Sequence, residues 1–327
     1  MYNDSVFLDT QKFSWAFLAH LGYNMWADPV RDKRAVPGMP QSLTAVCAED
    51  HLRFDLDLWH ETTKALAEAG CNMIVLDIGE GLQYESHPEI ACKGAWSKDV
   101  LAEEIFNLKM LGIEAIPKLN FSACHDEWMG EVSRMVSTTP YYRFCEDVIS
   151  EVCEVFGHPR LFHLGMDEET YGHQSRYNVV IIRQAEQWWH DFDFLCRTTM
   201  RCGARPWVWS DYIWHHEDEF LKKMSHDVLQ SNWYYGNFAS EEDAVYLRAF
   251  EALDRAGFEQ MPAGSVWSCE DNLVRMVDFT RDKISPDRLS GYLQTVWRPM
   301  MANYASNQRR GVKMLGKAKE HYGEVSP

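Results

Sequence analysis

Asp167, Glu168 and Glu169 follow one another at the end of the apolar run LFHLGM. Two adjacent carboxyl groups can divide their roles, because burial and neighbouring charge move their pKa values apart. Breaking a glycosidic bond needs such a division: a proton for the leaving oxygen, and negative charge or an internal nucleophile for the oxocarbenium-like centre. Tryptophan recurs in similar places. The chain has thirteen, and Trp209, Trp233, Trp267 and Trp297 each close a short apolar run. An indole buries the C–H face of a sugar ring, while carboxylates and amides accept from its hydroxyls. Any one of these tryptophans could cap a core, and a lone acid could cap a helix. Four tryptophans at successive run ends, with acids that directly end a strand, point instead to a binding rim. His163, inside the run, reads as a barrel-interior histidine, and Glu169 as a solvated loop residue or helix cap.

Eight short apolar runs can present these ends: Ser14–His20, Asn72–Asp77, Glu114–Asn120, Leu161–Asp167, Pro206–Asp211, Val228–Trp233, Met261–Trp267 and Gly291–Trp297. Continuous apolar strands suit a parallel sheet covered by helices. Helical stretches alternate with them at Asp57–Ala69, Lys98–Leu111, Tyr141–Phe156, Val179–Cys202 and Ala244–Ala256, each followed by a glycine. Glycine at that place is the helix C-cap signal. Repeated helix–Gly–strand junctions predict an α/β fold, a single-domain (β/α)8 TIM barrel over residues 1–327. A doubly wound open sheet is the runner-up, but no GxGxxG follows the first run. Asp28–Ser42 reads as a long loop. In a barrel the strand C-termini carry the chemistry. That rule gathers His20, His125, Asp211 and Tyr235 with the tryptophans, as residues to hold a carbohydrate around Asp167 and Glu168.

Bulk properties narrow the partners. With 327 residues, 46% of them apolar, the chain can bury a sizeable core. The formal charge of −17 argues against nucleic acid and anionic membrane surfaces. No apolar run approaches a membrane span, and MYNDSVFLDTQKF lacks the pattern of a signal peptide. Nine cysteines without a CxxC pair fit a reducing cytoplasm and give no zinc spacing. No cofactor or metal is called for, and the expected partner is a carbohydrate substrate, with a homodimer an open option.

LFHLGMDEE (161–169) resembles the His-x-Gly-Gly-Asp-Glu signature of the family-20 glycoside hydrolases, the β-N-acetylhexosaminidases. LGIEAIPKLNFSACH (111–125) is similar to that family's G-I-x-x-I-P-E strand and following histidine. RPWVWSD (205–211) and GYLQTVW (291–297) are similar to its fifth and eighth strands. The resemblance implies removal of a terminal N-acetylhexosamine by a retaining, substrate-assisted route. Glu168 would protonate the glycosidic oxygen, and Asp167 would orient the 2-acetamido group whose oxygen attacks the anomeric carbon. His125 would orient the pair, and Trp209, Trp233 and Trp297 would wall the sugar pocket. The sequence also departs from the pattern. Met166 replaces a glycine, His20 stands in for the usual strand-one arginine, and strand seven lacks the acetamido-binding tyrosine, for which Tyr234 or Tyr235 could substitute.

Two other readings remain open on the residues alone. A metal-dependent sugar isomerase or epimerase could use Asp77, Glu80, His125, Asp167 and Asp211 as hard ligands. A non-catalytic carbohydrate-binding barrel would keep the tryptophans but has no need of a positioned acid.

Overall fold

A computed structural model of the chain describes residues 13–25, 47–175, 177–239 and 244–325. The expected loop at Asp28–Ser42 lies outside them. Eight parallel strands run in the order β6-β5-β4-β3-β2-β1-β8-β7. They are β1 (Ser14–His20), β2 (Met73–Asp77), β3 (Glu114–Lys118), β4 (Leu161–His163), β5 (Arg205–Trp209), β6 (Leu229–Ser231), β7 (Ala263–Ser265) and β8 (Gly291–Thr295). Parallel bridges Gln230–Gln260 and Trp233–Ala263 join the β6 edge to the β7 edge, so the sheet closes into the expected barrel.

Helices alternate with the strands: α1 (Leu56–Glu68), α2 (Lys98–Met110), α3 (Thr139–Val155), the short α4 (Tyr171–Gln174), α5 (Glu186–Arg201), α6 (Ile213–Lys223), α7 (Ala244–Arg255), α8 (Asn272–Thr280) and α9 (Ala305–Val325). Their starts are capped as the sequence suggests. The Asp55 side chain accepts from Leu58 N at the head of α1, and Ser97 accepts from Val100 N at the head of α2. Gly70 and Gly203, just past α1 and α5, have φ of 82° and 85°, the left-handed C-cap geometry. One helix is shorter than the sequence indicates. The expected Val179–Cys202 helix begins only at Glu186, because Ala185 holds φ at 47° and breaks the helical path.

Strand alternation sorts the side chains into two cores. Trp15, Phe17 and Ala19 of β1 pack outward under the helices, while Ala16 and Leu18 pack inside the barrel with Val75, Ile116, Leu161, Trp207 and Leu293. The same alternation carries one step further toward the strand C-termini. It sets His20, Asp77, Lys118, His163 and Trp209 as the next inward-facing layer, and all five are buried. The interior therefore changes from apolar to polar toward the face where barrel chemistry resides.

Most strands end earlier than their apolar runs. β4 keeps only three ladder residues, since Gly165, Met166 and Glu168 all have positive φ, at 71°, 75° and 57°. Asp167, Glu168, Asp211, Trp233 and Trp297 lie in these C-terminal extensions, while His20 and Trp209 close the ladders of β1 and β5.

Candidate active site

The turn after β4 is built around Asn120. Its Oδ1 accepts from Ser122 N and Met166 N, and its Nδ2 donates to Asp167 Oδ1 at 2.8 Å. Gly165 allows this approach, because a Cβ there would stand 2.0 Å from Asn120 Oδ1. Ser122 Oγ donates to the Asp167 carbonyl at 2.5 Å. Asp211, just past β5, accepts the Glu168 backbone N–H through Oδ2 at 2.8 Å and faces Trp233 Nε1 at 3.3 Å through Oδ1. Asp167 is thus placed by a buried amide just past β3, and Glu168 by a buried carboxyl just past β5.

An imidazole bridges the pair. His125 presents Nδ1 to Asp167 Oδ1 at 3.1 Å and Nε2 to Glu168 Oε2 at 3.5 Å. A second histidine, His173 of α4, presents Nε2 to Glu168 Oε1 at 3.3 Å. Thr170 holds it, with Oγ1 2.8 Å from His173 Nδ1 while also accepting from the His173 backbone N–H. Asp167, His125, Glu168, His173 and Thr170 form one continuous polar chain.

This chain sets the charges. Burial pushes the Glu168 carboxyl up, but hydrogen bonds from His125 and His173 outweigh it and hold it at about 2. Asp167, also buried, is held below the usual carboxylate range by the His125 charge. Burial lowers the His125 imidazole, yet Asp167 raises it well above its ordinary value; His173 is raised chiefly by its bond to Glu168. Asp211 has no cationic partner comparable to these. Burial and then the Asp167 charge push it up to about 7. Protons are therefore favoured on the two histidines, Glu168 is ionised, and Asp211 titrates at about 7.

Aromatic rings surround this chain. Trp297 lies 6.0 Å from Trp209 and 5.4 Å from His20 between ring centroids, and its Nε1 donates to Tyr235 Oη at 3.0 Å. Tyr235 stacks on Trp233 at 4.9 Å, and Trp233 reaches Asp211. Trp209 Nε1 is buried without a hydrogen-bond partner, as is His20 Nε2. Such unpaired polar atoms are costly in a core and suit a site completed by a polar ligand. Trp267 stands apart: it is 39% exposed under the Arg298 guanidinium, 4.3 Å away, and among the described residues no ring contact joins it to the other three tryptophans.

Below the site, Lys118 is fully buried and donates to Asp77 Oδ2 at 2.5 Å, which in turn lies 3.4 Å from His20 Nδ1. Glu80 accepts from Tyr23 N and Asn24 N. These partners take up Asp77 and Glu80, so the five-residue ligand set considered above does not converge. A smaller group does: ligand atoms of His125, Asp167 and Glu168 lie within 4.8 Å of one another.

One other assignment changes. Glu169 is neither solvated nor a cap. Its side chain is 4% exposed and forms a multidentate pair with the buried Arg183, which also meets Asp191 and the Phe121 carbonyl. Asp126, six residues past the third run, is buried and pushed up to about 7 by burial. His163 is buried in the barrel as expected, its Nδ1 accepting from Gly165 N at 3.0 Å.

No protein-family model matches the chain, and no curated protein matches it. Solved structures do. A β-N-acetylhexosaminidase from Bacteroides fragilis superposes with a TM-score of 0.61 at 12% identity, over 96% of this chain and 69% of that one. Another β-N-acetylhexosaminidase gives 0.64 at 12%, over 97% and 76%. Dispersin B gives 0.58 at 14%, over 82% and 95%. The fold is that of the family-20 β-N-acetylhexosaminidase barrel.

The departures from the family signature take physical form on this fold. Met166 occupies a left-handed conformation, at φ 75°, that glycine adopts without strain. Of the two candidate tyrosines, Tyr235 touches Trp297 and Trp233, whereas Tyr234 packs against Phe238 and Tyr246. Sequence reasoning missed His173, Arg183 and Lys118. The spacing Thr170-x-x-His173 was a usable signal, being that of a helix N-cap directly after the acid pair.

Among the described residues no helix is long and apolar enough to cross a membrane. All nine cysteines are free thiols, six of them buried.

Proposed function

We propose that the chain is a glycoside hydrolase that removes a terminal N-acetylhexosamine by a retaining, substrate-assisted mechanism. The observation that carries this is the Asp167–His125–Glu168 bridge beside the Trp209–Trp297 pair. Adjacent residues cannot easily flank a sugar from opposite faces at the roughly 5 Å gap of a nucleophile–acid pair. Asp167 instead orients the substrate's acetamido group, whose carbonyl oxygen attacks the anomeric carbon as the glycosidic bond breaks. Glu168 gives its proton to the departing oxygen, and Tyr235 and Trp297 line the sugar.

Glu168 is ionised between its two histidines, so its proton comes from a neighbour. His173 holds one 3.3 Å away. As the leaving group enters, that proton passes to Oε1 and makes Glu168 the acid the reaction needs. A panel of 4-nitrophenyl glycosides with and without the 2-acetamido group tests the reading. Turnover confined to acetamido sugars supports it; equal turnover of plain hexosides removes the substrate-assisted route.

The compact His125, Asp167 and Glu168 group favours one alternative, a bound divalent ion supplying the chemistry. Metal analysis and an EDTA challenge separate the two: the hydrolase proposed here retains full activity in EDTA.

A further inference from the structure

Past β8 the chain turns sharply. Trp297 holds φ at 53°, a left-handed conformation that a bulky aromatic residue keeps only where its surroundings enforce it. The turn sets the Trp297 ring against Trp209 and His20 and brings Arg298, the next residue, over Trp267. The Arg298 guanidinium lies 4.3 Å from the Trp267 ring centroid. Its Nη1 donates to the Trp297 carbonyl at 2.8 Å, and the group also meets the Tyr23 hydroxyl, which itself donates to that carbonyl at 2.7 Å. All these partners are neutral.

Among the described residues no carboxylate pairs with Arg298. The acids of the loop after β7 are taken elsewhere: Glu270 meets Arg310 at 3.4 Å, and Asp271 meets Arg275 at 2.8 Å. Within the barrel Asp77 pairs with Lys118, Asp167 with His125 and Glu168 with His173. An anion that reaches Arg298 therefore meets a cation whose charge is not already matched, while the acids around it are. A guanidinium stacked by its face keeps its N–H edge for the paired oxygens of an oxyanion, the geometry in which arginine binds best.

The barrel order says which part of a bound sugar Arg298 faces. β8 stands four places from β4 in a closed ring of eight strands, so the two lie across the barrel from each other. Glu168 follows β4 and addresses the leaving oxygen, which turns C1 of the sugar toward β4. A pyranose ring carries C3 and C4 across from C1, with C6 beside them. The edge bearing these hydroxyls therefore faces β8 and Arg298.

We infer that Arg298, on its Trp267 platform, binds an anionic substituent on this far edge of the terminal sugar, a sulfate or phosphate ester. The inference rests on the glycosidase reading above. It also gives a role to Trp267, which has no ring contact with the other three tryptophans among the described residues.

The test uses the 4-nitrophenyl N-acetylhexosaminide, gluco or galacto, that the enzyme turns over. Free N-acetylhexosamine of the same series and its 3-, 4- and 6-sulfates serve as competitive inhibitors, so the comparison reads binding and not leaving ability. At low ionic strength one of the sulfates should bind about tenfold more tightly than the plain sugar, as expected for hydrogen bonds to a charged group. Added salt should shrink that advantage. The 6-phosphate, run beside the 6-sulfate, tells which ester the site prefers. Arg298→Gln should bring sulfated and plain sugars to equal affinity, and Arg298→Lys, which keeps the charge without the fork, should retain part of the difference. If no sulfate or phosphate binds more tightly than the plain sugar, or if the advantage survives Arg298→Gln, the anion site is overturned while the glycosidase reading stands. If neither 4-nitrophenyl glycoside turns over, the glycosidase reading has failed and the anion site with it.

Discussion

Nε2 of His173 stands 3.3 Å from Oε1 of Glu168. The imidazole that faces Oε1 thus comes from a four-residue helix, not from a barrel strand. His125 faces the other carboxylate oxygen at 3.5 Å, so Glu168 lies between two imidazoles. In the mechanism proposed above, the pair it forms with His173 carries one proton, which rests on the imidazole before the reaction.

This pairing fixes a pH dependence. His173 is raised above its ordinary value of 6.5 by Glu168, against burial and the His125 charge, with Asp211 as a further anionic neighbour. The pair keeps its proton up to that raised value, and the alkaline limb of kcat/KM should report it. In His173→Gln the proton must sit on Glu168 itself, which His125 still holds down, so the limb should move to lower pH. The pH profile of kcat/KM for both proteins checks this. A merely structural His173 would scale the whole profile and leave the limb in place.

Asp211 gives a stability prediction of definite sign. Its folded pKa is about 7, against about 4 for an unfolded aspartate. Between those values the folded state binds more protons than the unfolded state, so this group's contribution to stability falls as pH rises through that window. Asp211→Asn removes the titration while leaving an oxygen to accept from Glu168 N. The melting temperature of the variant relative to wild type should therefore improve between pH 5 and pH 8. A constant difference across that range would show that Asp211 is ionised in the fold.

Trp297 links both halves of the ring cluster through Trp209, His20 and Tyr235. Trp297→Ala should lower kcat/KM about tenfold or more, as expected for loss of a stacking wall. It should also cost stability, on the order of 3–5 kcal/mol for a buried tryptophan. Trp297→Phe separates the two effects, since it keeps a ring while losing the bond to Tyr235. Rates on terminal and internal linkages of a chito-oligosaccharide complete the test: a ring-walled pocket cleaves only the terminal one.

Much of this was legible in the sequence because barrel geometry follows from strong local signals. Glycines after amphipathic stretches marked the helix ends, and apolar runs placed Asp167, Asp211 and Trp297 at one face. The strand ends were read too long for a local reason. In the fourth run the left-handed residues Gly165, Met166 and Glu168 leave the ladder although LFHLGM reads as one apolar stretch, and composition does not report φ. The Glu168–His173 contact and the role of Lys118 were not legible for another reason. Their roles come from contacts across 5 and 41 residues, Glu168 with His173 and Asp77 with Lys118, which periodicity does not encode. Trp267 shows the reverse case: it occupies the right place along its run, yet the short β7 turns it toward Arg298 and solvent.

The central claim is that Glu168 protonates the leaving oxygen. Glu168→Gln keeps shape and hydrogen-bonding capacity but removes the acidic proton. A sugar alkoxide needs that proton to leave, and a dinitrophenolate scarcely does. The deciding measurement is kcat/KM of wild type and Glu168→Gln on an N-acetylglucosamine disaccharide and on the dinitrophenyl glycoside. The account predicts a loss of about 10²–10⁴-fold on the disaccharide and a far smaller loss on the dinitrophenyl substrate. An equal loss on both would contradict it.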